Sequence, residues 1–371
     1  MRDAPAILVS AGEPSGDAHG GPLVAALRRR RPDLPVEAVG GPRMEAAGAR
    51  VRWRVEQLSA LGFFEVPGQI PRHWRLLRTL EREGRSGRYR LAVLIDYPGF
   101  HVRLGRRLRR AGIPVLYYVA PQLWAWRPGR LTALREAADR LAVILPFEAE
   151  WFAARGVPCR FVGHPLLDGP TPSGPAARQA LGLPDDVPIL GIFPGSRPRE
   201  IQRHWPLFRA VAHRMLQEGR AALGLVAALP GAAYPDPGPL RLLRDDPRAI
   251  LAACSAALIK SGTTTLEAVL AGTPMVVAYA TSRLTYEIAR RLLTVRHVAL
   301  ANLVAGDEVV PEFWHPPIPA EPLAAAVREL LRPGSEVARR QREAFRGIRE
   351  RLGSPGAAER VADMALELLA A

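Results

Sequence analysis

Cysteine and lysine are nearly missing from this chain. Two cysteines in 371 residues, Cys159 and Cys254, exclude a disulfide framework and a thiolate metal cluster. Lys260 is the only lysine, so almost every basic side chain is an arginine. Aromatic residues make up only 6%. Long apolar runs are lacking too. Those at 6–9, 91–95, 115–119 and 221–229 fall well short of the roughly 18–20 residues that span a bilayer. The first of them is also too short for a signal-peptide core, so the chain reads as cytoplasmic. No His, Asp or Glu cluster has metal-ligand spacing, and no metal is expected.

What the chain has in excess is positive charge, a formal +15. Arg, Ala, Gly, Pro and Leu dominate together, which reads as coding bias, and no nucleic-acid-binding module is present, so no nucleic-acid partner is expected. An anionic membrane surface or an anionic sugar nucleotide fits the charge better.

Length and a 48% hydrophobic content point to two domains. Short apolar runs alternate with helical periodicity, the pattern of an α/β fold with parallel sheets. Strands are expected at 6–11, 36–39, 91–95, 115–119, 141–145 and 160–162, with helices such as 20–31, 102–111 and 147–155 between them. A turn-rich linker at 169–175 precedes a second series of strands at 189–193, 221–229, 256–259 and 275–278. A loop at 230–239 holds four prolines. Helices at 323–331, 336–352 and 357–369 finish the chain. The expected organisation is a Rossmann-like domain at 1–168, a second at 169–345, and a helical tail at 346–371 packing back on an N-terminal domain, its own or a partner's. In such sheets ligands bind beyond the carboxyl ends of the strands.

The candidate residues fall at those ends. Gly12-Glu13-Pro14-Ser15-Gly16-Asp17 forms a turn after the first strand. Its carboxylates, Glu13 and Asp17, suit sugar hydroxyls better than phosphate, and helix capping explains them equally well. Asp96 follows the strand at 91–95, placed to act as a general base or simply to form a turn before Pro98. Trp124 and Trp126 suggest a rigid wall for a sugar or acyl chain, or core packing. In the second half, Pro194-Gly195-Ser196-Arg197 and Ser261-Gly262-Thr263 each lead from a strand into a helix, where N–H groups can hold a diphosphate. Glu267, one turn further, is placed to accept both ribose hydroxyls. His164 marks the domain junction.

Taken together, these residues resemble the lipid A disaccharide synthases. The matches run in order through Gly12-Glu13-x-Ser15-Gly16-Asp17, Gly41-Pro42-Arg43-Met44, Ile95-Asp96-x-Pro98, Trp124-Ala125-Trp126-Arg127, Gly163-His164, Pro194-Gly195-Ser196-Arg197, Ser261-Gly262-Thr263 with Leu266-Glu267, and Asn302-Leu303-x-Ala305-Gly306, reaching to about residue 312. The resemblance implies a GT-B fold and an inverting reaction without metal or cofactor. It implies UDP-2,3-diacylglucosamine as donor and 2,3-diacylglucosamine 1-phosphate as acceptor, joined into a β-1,6 disaccharide with release of UDP. It makes Asp96 and Glu13 the candidate catalytic residues. Ser196, Arg197, Ser261, Gly262, Thr263 and Glu267 become the UDP site, and Ser15, Asp17, Trp124, Trp126, His164, Asn302 and Glu312 cleft positions. It also implies peripheral attachment to the cytoplasmic face of the inner membrane, with homodimerisation open.

The chain departs from the family pattern at Gly99, His101, Ala301 and Asp307, which leaves acceptor detail and acyl-chain length undetermined. Another sugar-nucleotide GT-B enzyme, such as an epimerase, and a non-catalytic UDP- or lipid-binding relative stand as alternatives. For the membrane, Phe63, Phe64, Val66, Ile70, Trp74 and Leu77 interleave with arginines and are expected to form an exposed amphipathic patch.

Overall fold

A computed structural model of the chain describes residues 4–55, 70–126 and 128–370. It divides into two units, Met1–Asp168 with Leu352–Ala371, and Gly169–Arg351. The first unit is built on seven parallel strands: β1 (Ala6–Ala11), β2 (Val36–Gly40), β3 (Arg50–Arg54), β4 (Tyr89–Ile95), β5 (Val115–Tyr118), β6 (Arg140–Val143) and β7 (Cys159–Phe161). Their order is β3-β2-β1-β4-β5-β6-β7. Strand side chains alternate between faces, and here both faces are dry. Ile7, Val9, Leu91, Val93 and Tyr118 join one core, under the helix Pro14–Arg30 and the returning helix Ala357–Ala370. Leu8, Ala92, Leu94 and Tyr117 join the other, under the helices Ile70–Arg85 and Pro98–Arg110.

The second unit carries β8 (Ile189–Phe193), β9 (Leu223–Ala227), β10 (Arg241–Leu243), β11 (Ala256–Lys260), β12 (Met275–Ala278) and β13 (Glu312–Phe313). These are parallel in the order β10-β9-β8-β11-β12-β13. A core there joins Leu190, Ile192, Val226, Leu258 and Val276 to the helices Pro198–Gln217 and Ala320–Leu331. Both sheets are thus α/β and parallel, the fold class expected. Three short strands, β3, β10 and β13, have no counterpart in the sequence reading.

Helices begin earlier than their apolar periodicity suggests. The one expected from residue 20 starts at Pro14, and the one expected from 102 starts at Pro98. Proline occupies the first turn in both, where its missing N–H costs nothing and its fixed φ suits the helix. Asp17 then acts at long range. Its carboxylate accepts from the backbone N–H groups of Gly41, Arg43 and Met44 at 2.7, 3.0 and 3.2 Å, capping the short helix Pro42–Ala46 from another element. Asp168 does the same for the returning helix, accepting from Gly356 and Ala357 at 2.6 and 3.3 Å.

The end of β4 is held by a buried relay. Asp96 and Tyr97 both have left-handed backbones, φ 50° and 52°. Non-glycine residues pay roughly 1–3 kcal/mol for sparsely populated conformations of this kind. The Asp96 carbonyl accepts from the Tyr117 hydroxyl at 2.7 Å and from His101 Nδ1 at 2.7 Å. A carbonyl can only accept, so Nδ1 carries the proton and Nε2 accepts from the Ser10 hydroxyl at 2.9 Å. His101 is fully buried, and burial pushes its pKa down to about 4.

Two stability outcomes follow. Asp17→Ala strands three N–H donors and should cost about 2–4 kcal/mol, read from the urea midpoint. His101 binds a proton near pH 6.5 when unfolded but only near 4 when folded, so acid favours the unfolded chain. Between pH 6.5 and 4 this residue should remove on the order of 3 kcal/mol of stability. His101→Asn should lack that part of the pH slope in urea titrations across the same range.

Candidate active site

In each sheet one pair of neighbouring strands marks the point where the chain reverses its direction of winding. In the first unit that pair is β1 and β4, and in the second it is β8 and β11. Connections leave such a pair on opposite sides, which opens a crevice beyond the strand ends.

In the first unit Glu13 follows β1 and Asp96 follows β4, strands whose last residues, Ala11 and Ile95, are directly paired. Tyr97 joins the two turns. A Cβ on Gly12 would fall 2.1 Å from the Tyr97 ring, so only glycine permits this approach. Burial, with the Glu13 carboxylate adding to it, raises the Tyr97 phenol to about 12. Its hydroxyl lies 3.1 Å from His73 Nε2. Glu13 and Asp96 are both half-buried. Beside them the β-branched Val119, at the end of β5, also has a positive φ, 62°. Three left-handed non-glycine residues at the ends of β4 and β5 mark this rim as a place where the backbone is held against its preference.

In the second unit the turn after β8 and the turn after β11 are tied by one ion pair, Lys260 Nζ to Glu200 Oε1 at 2.9 Å. The other oxygen of Glu200 accepts from the Ser196 N–H at 3.0 Å. Lys260 and neighbouring donors hold the Glu200 carboxyl below its usual pKa, against the effect of burial. Gly195 has φ 137°, and a Cβ there would meet Glu200 Cβ at 2.7 Å. Arg197 occupies the N-cap position of the helix Pro198–Gln217, and Thr263 that of Thr264–Ala271, neither with a side-chain cap bond. The first N–H groups of a helix have no intrahelical partner and favour anions. Ser261 Oγ donates to the Val298 carbonyl at 2.6 Å, fixing the loop beyond it. Burial raises the pKa of Glu267, and Arg248, 4.0 Å away, pulls it back. His204 donates from Nδ1 to the Glu200 carbonyl at 2.7 Å and accepts from the Ala280 N–H at 2.9 Å. Sequence reasoning missed both Glu200 and His204. The signal for Glu200 was its place in the first helical turn after Arg197, where glutamate reaches back to a preceding N–H.

Several other expected site residues serve as internal supports, while Trp126 and Ser15 stand exposed. The oxygens of Asp17 are taken up by the cap described above. Asn302 Oδ1 accepts from Val309 and Val310, both at 2.9 Å, and its amide donates to the Val310 carbonyl and to Glu312 Oε1 at 2.8 and 2.6 Å. Glu312 also accepts from Val298 and Ala299, so the pair closes the loop after the helix Leu300–Ala305. Trp124 is buried edge-on against Phe147 and donates to Glu148, whose carboxyl burial raises to about 7. Trp126 is exposed. Ser15 is exposed in the first turn of its helix. His164 is buried, its N–H bonded to the Leu352 carbonyl at 2.9 Å and its Nδ1 accepting from Leu166.

The amphipathic patch needs correction at Leu77. It is a core residue, packed with Leu76 and Leu80 on the inner face of the helix Ile70–Arg85. Trp74, on the same helix, is exposed, with Arg78 and Arg107 guanidinium groups 5.9 and 5.2 Å from its ring. Phe63, Phe64 and Val66 lie outside the described residues. Among the described residues no helix is long and apolar enough to cross a membrane, and no group of three or more His, Cys, Asp or Glu is arranged to hold a metal ion.

Comparison with known proteins agrees with this architecture. A family model described as lipid-A-disaccharide synthetase matches residues 7–360. A lipid-A-disaccharide synthase of Anaeromyxobacter sp. (strain K) is 41% identical over 375 residues, covering 98% of this chain and 97% of the relative. The S. aureus MnaA–UDP co-structure superposes with a TM-score of 0.69 at 13% identity, over 99% of this chain and 98% of that one. The calicheamicin glycosyltransferase CalG4 gives 0.58 at 19% identity, over 100% of this chain and 99% of that one. At such identities the solved structures speak for the fold alone, a GT-B-like pair of parallel sheets. The family match and the close relative go further: the chain belongs to the lipid-A-disaccharide synthase family of UDP-sugar glycosyltransferases.

Proposed function

We propose that this chain moves a 2,3-diacylglucosaminyl group from its UDP donor to the 6-hydroxyl of 2,3-diacylglucosamine 1-phosphate, with inversion and without a metal or cofactor. The products are the β-1,6 disaccharide 1-phosphate and UDP, made at the cytoplasmic face of the inner membrane. The observation that carries the reading is the held turn at Asp96. His101 and Tyr117 hold the backbone carbonyl of this turn, which supports a role for the Asp96 carboxylate as general base.

In this reading Asp96 takes the proton of the acceptor 6-hydroxyl as that oxygen attacks the donor's anomeric carbon, on the face opposite UDP. The carbon–oxygen bond to the diphosphate breaks, and its electron pair leaves with UDP. Arg197 and the N–H groups opening the helices Pro198–Gln217 and Thr264–Ala271 would receive the growing phosphate charge. Ser196, Ser261, Gly262 and Thr263 line those two turns. Glu267 would accept the ribose hydroxyls. Glu13, joined to the Asp96 turn through Tyr97, would orient the acceptor sugar.

The test is turnover of purified protein with both lipid substrates, following UDP and disaccharide. Asp96→Asn should lower kcat by about 10²–10⁴ while leaving the Kd for UDP within about twofold. Full activity in Asp96→Asn would remove Asp96 as the base. Glu267→Gln should weaken UDP binding about tenfold, measured by calorimetry, with a smaller effect on kcat. Wild-type protein that binds UDP but never forms disaccharide would favour a non-catalytic relative.

A further inference from the structure

The three most exposed large apolar side chains among the described residues lie on one helix. Leu284, Ile288 and Leu292 are 73%, 51% and 48% exposed, and all belong to the helix Arg283–Leu292 of the second unit. Their spacing of four places them along one face. The helix is built to stand there. Ser282 Oγ caps it by accepting from the Thr285 N–H at 3.1 Å. Tyr286, its one buried residue, anchors the opposite face, with ring centroids 5.0 Å from both Trp314 and His315 and its hydroxyl bonded to His315 Nδ1.

The polar residues around the stripe have one sign. Arg283, Arg290, Arg291 and Arg296 are all exposed, and the only acidic residue of the segment, Glu287, is paired with Arg290 at 2.8 Å. We infer that this helix lies in the surface of an anionic lipid bilayer, with Leu284, Ile288 and Leu292 among the acyl chains and the arginines on lipid phosphates. A narrow aliphatic stripe edged by long cations is the pattern of an in-plane membrane helix, because arginine can bury its stem while its head stays among the headgroups. A second copy of the chain is a poorer occupant: a two-fold seam would set the same arginines against one another. The inference extends the membrane location proposed above. Its test is binding, not turnover, so its failure leaves the transferase reading standing.

The experiment is co-sedimentation of the full chain with vesicles of phosphatidylcholine alone and of phosphatidylcholine mixed with phosphatidylglycerol. Wild-type protein should bind the mixed vesicles more tightly, and added salt should weaken the difference. The triple variant Leu284→Gln, Ile288→Gln, Leu292→Gln should lower partitioning into mixed vesicles by about tenfold or more. Its thermal midpoint and UDP affinity should be unchanged, because the three side chains are exposed. The double variant Arg290→Gln, Arg291→Gln should reduce the preference for phosphatidylglycerol. Equal vesicle binding by wild type and the triple variant would overturn the inference, as would wild-type protein that ignores both vesicles. A lipid-free dimer that the triple variant dissociates, with vesicle binding unaltered, would show the stripe to be a protein seam.

Discussion

The carbonyl oxygen of Asp96 takes two hydrogen bonds, from His101 and from Tyr117, and in taking them it keeps a turn that an unassisted pair of L-residues would leave. Much of the first unit's site depends on this. The turn directs the chain from β4 into the helix Pro98–Arg110. It also puts Tyr97 against Gly12, and so couples the end of β4 to the end of β1. The donors come from different elements, His101 from the following helix and Tyr117 from the neighbouring strand. The strain is therefore offset by parts of the fold that are themselves fully buried. This chain has built its support from an imidazole that burial keeps neutral.

The second unit reaches a comparable end by other means. Its two turns are joined by charge, through Lys260 and Glu200, with His204 securing the helix behind them. Each unit thus fixes its strand-end turns with buried or half-buried polar groups that are themselves fully engaged. Partly satisfied networks of that kind would be costly.

How much of this can be read from the sequence varies with the distance between partners. The central strands β1, β4, β8 and β11 show plainly, because strands covered on both faces are continuous apolar runs. The edge strands β3 and β10 do not, since Arg50–Arg54 and Arg241–Leu243 pair on one side only and carry arginine. Helix starts at Pro14 and Pro98 are hidden because proline reads equally as a turn. The uses of Asp17, Asn302 and Glu312 are hidden for a different reason: a carboxylate or amide at a strand end looks the same whether it waits for a sugar or caps a distant backbone. Ser10 and His101, ninety-one residues apart, have no local signature at all. The motif set identifies the family, but the motif alone does not separate the residues that touch substrate from those that hold them in place.

The path of the chain has a consequence for its synthesis. The second unit is continuous, from Gly169 to Arg351, whereas the first is closed by residues from 352 onward, with the helix Ala357–Ala370 covering one face of its sheet. On the ribosome the later-made unit can complete its core first. The earlier one must wait for residues 357–370 to complete the core that Val93 and Tyr118 share with the helix Pro14–Arg30. For a long stretch of translation the half that carries Asp96 lacks the helix that completes one of its cores.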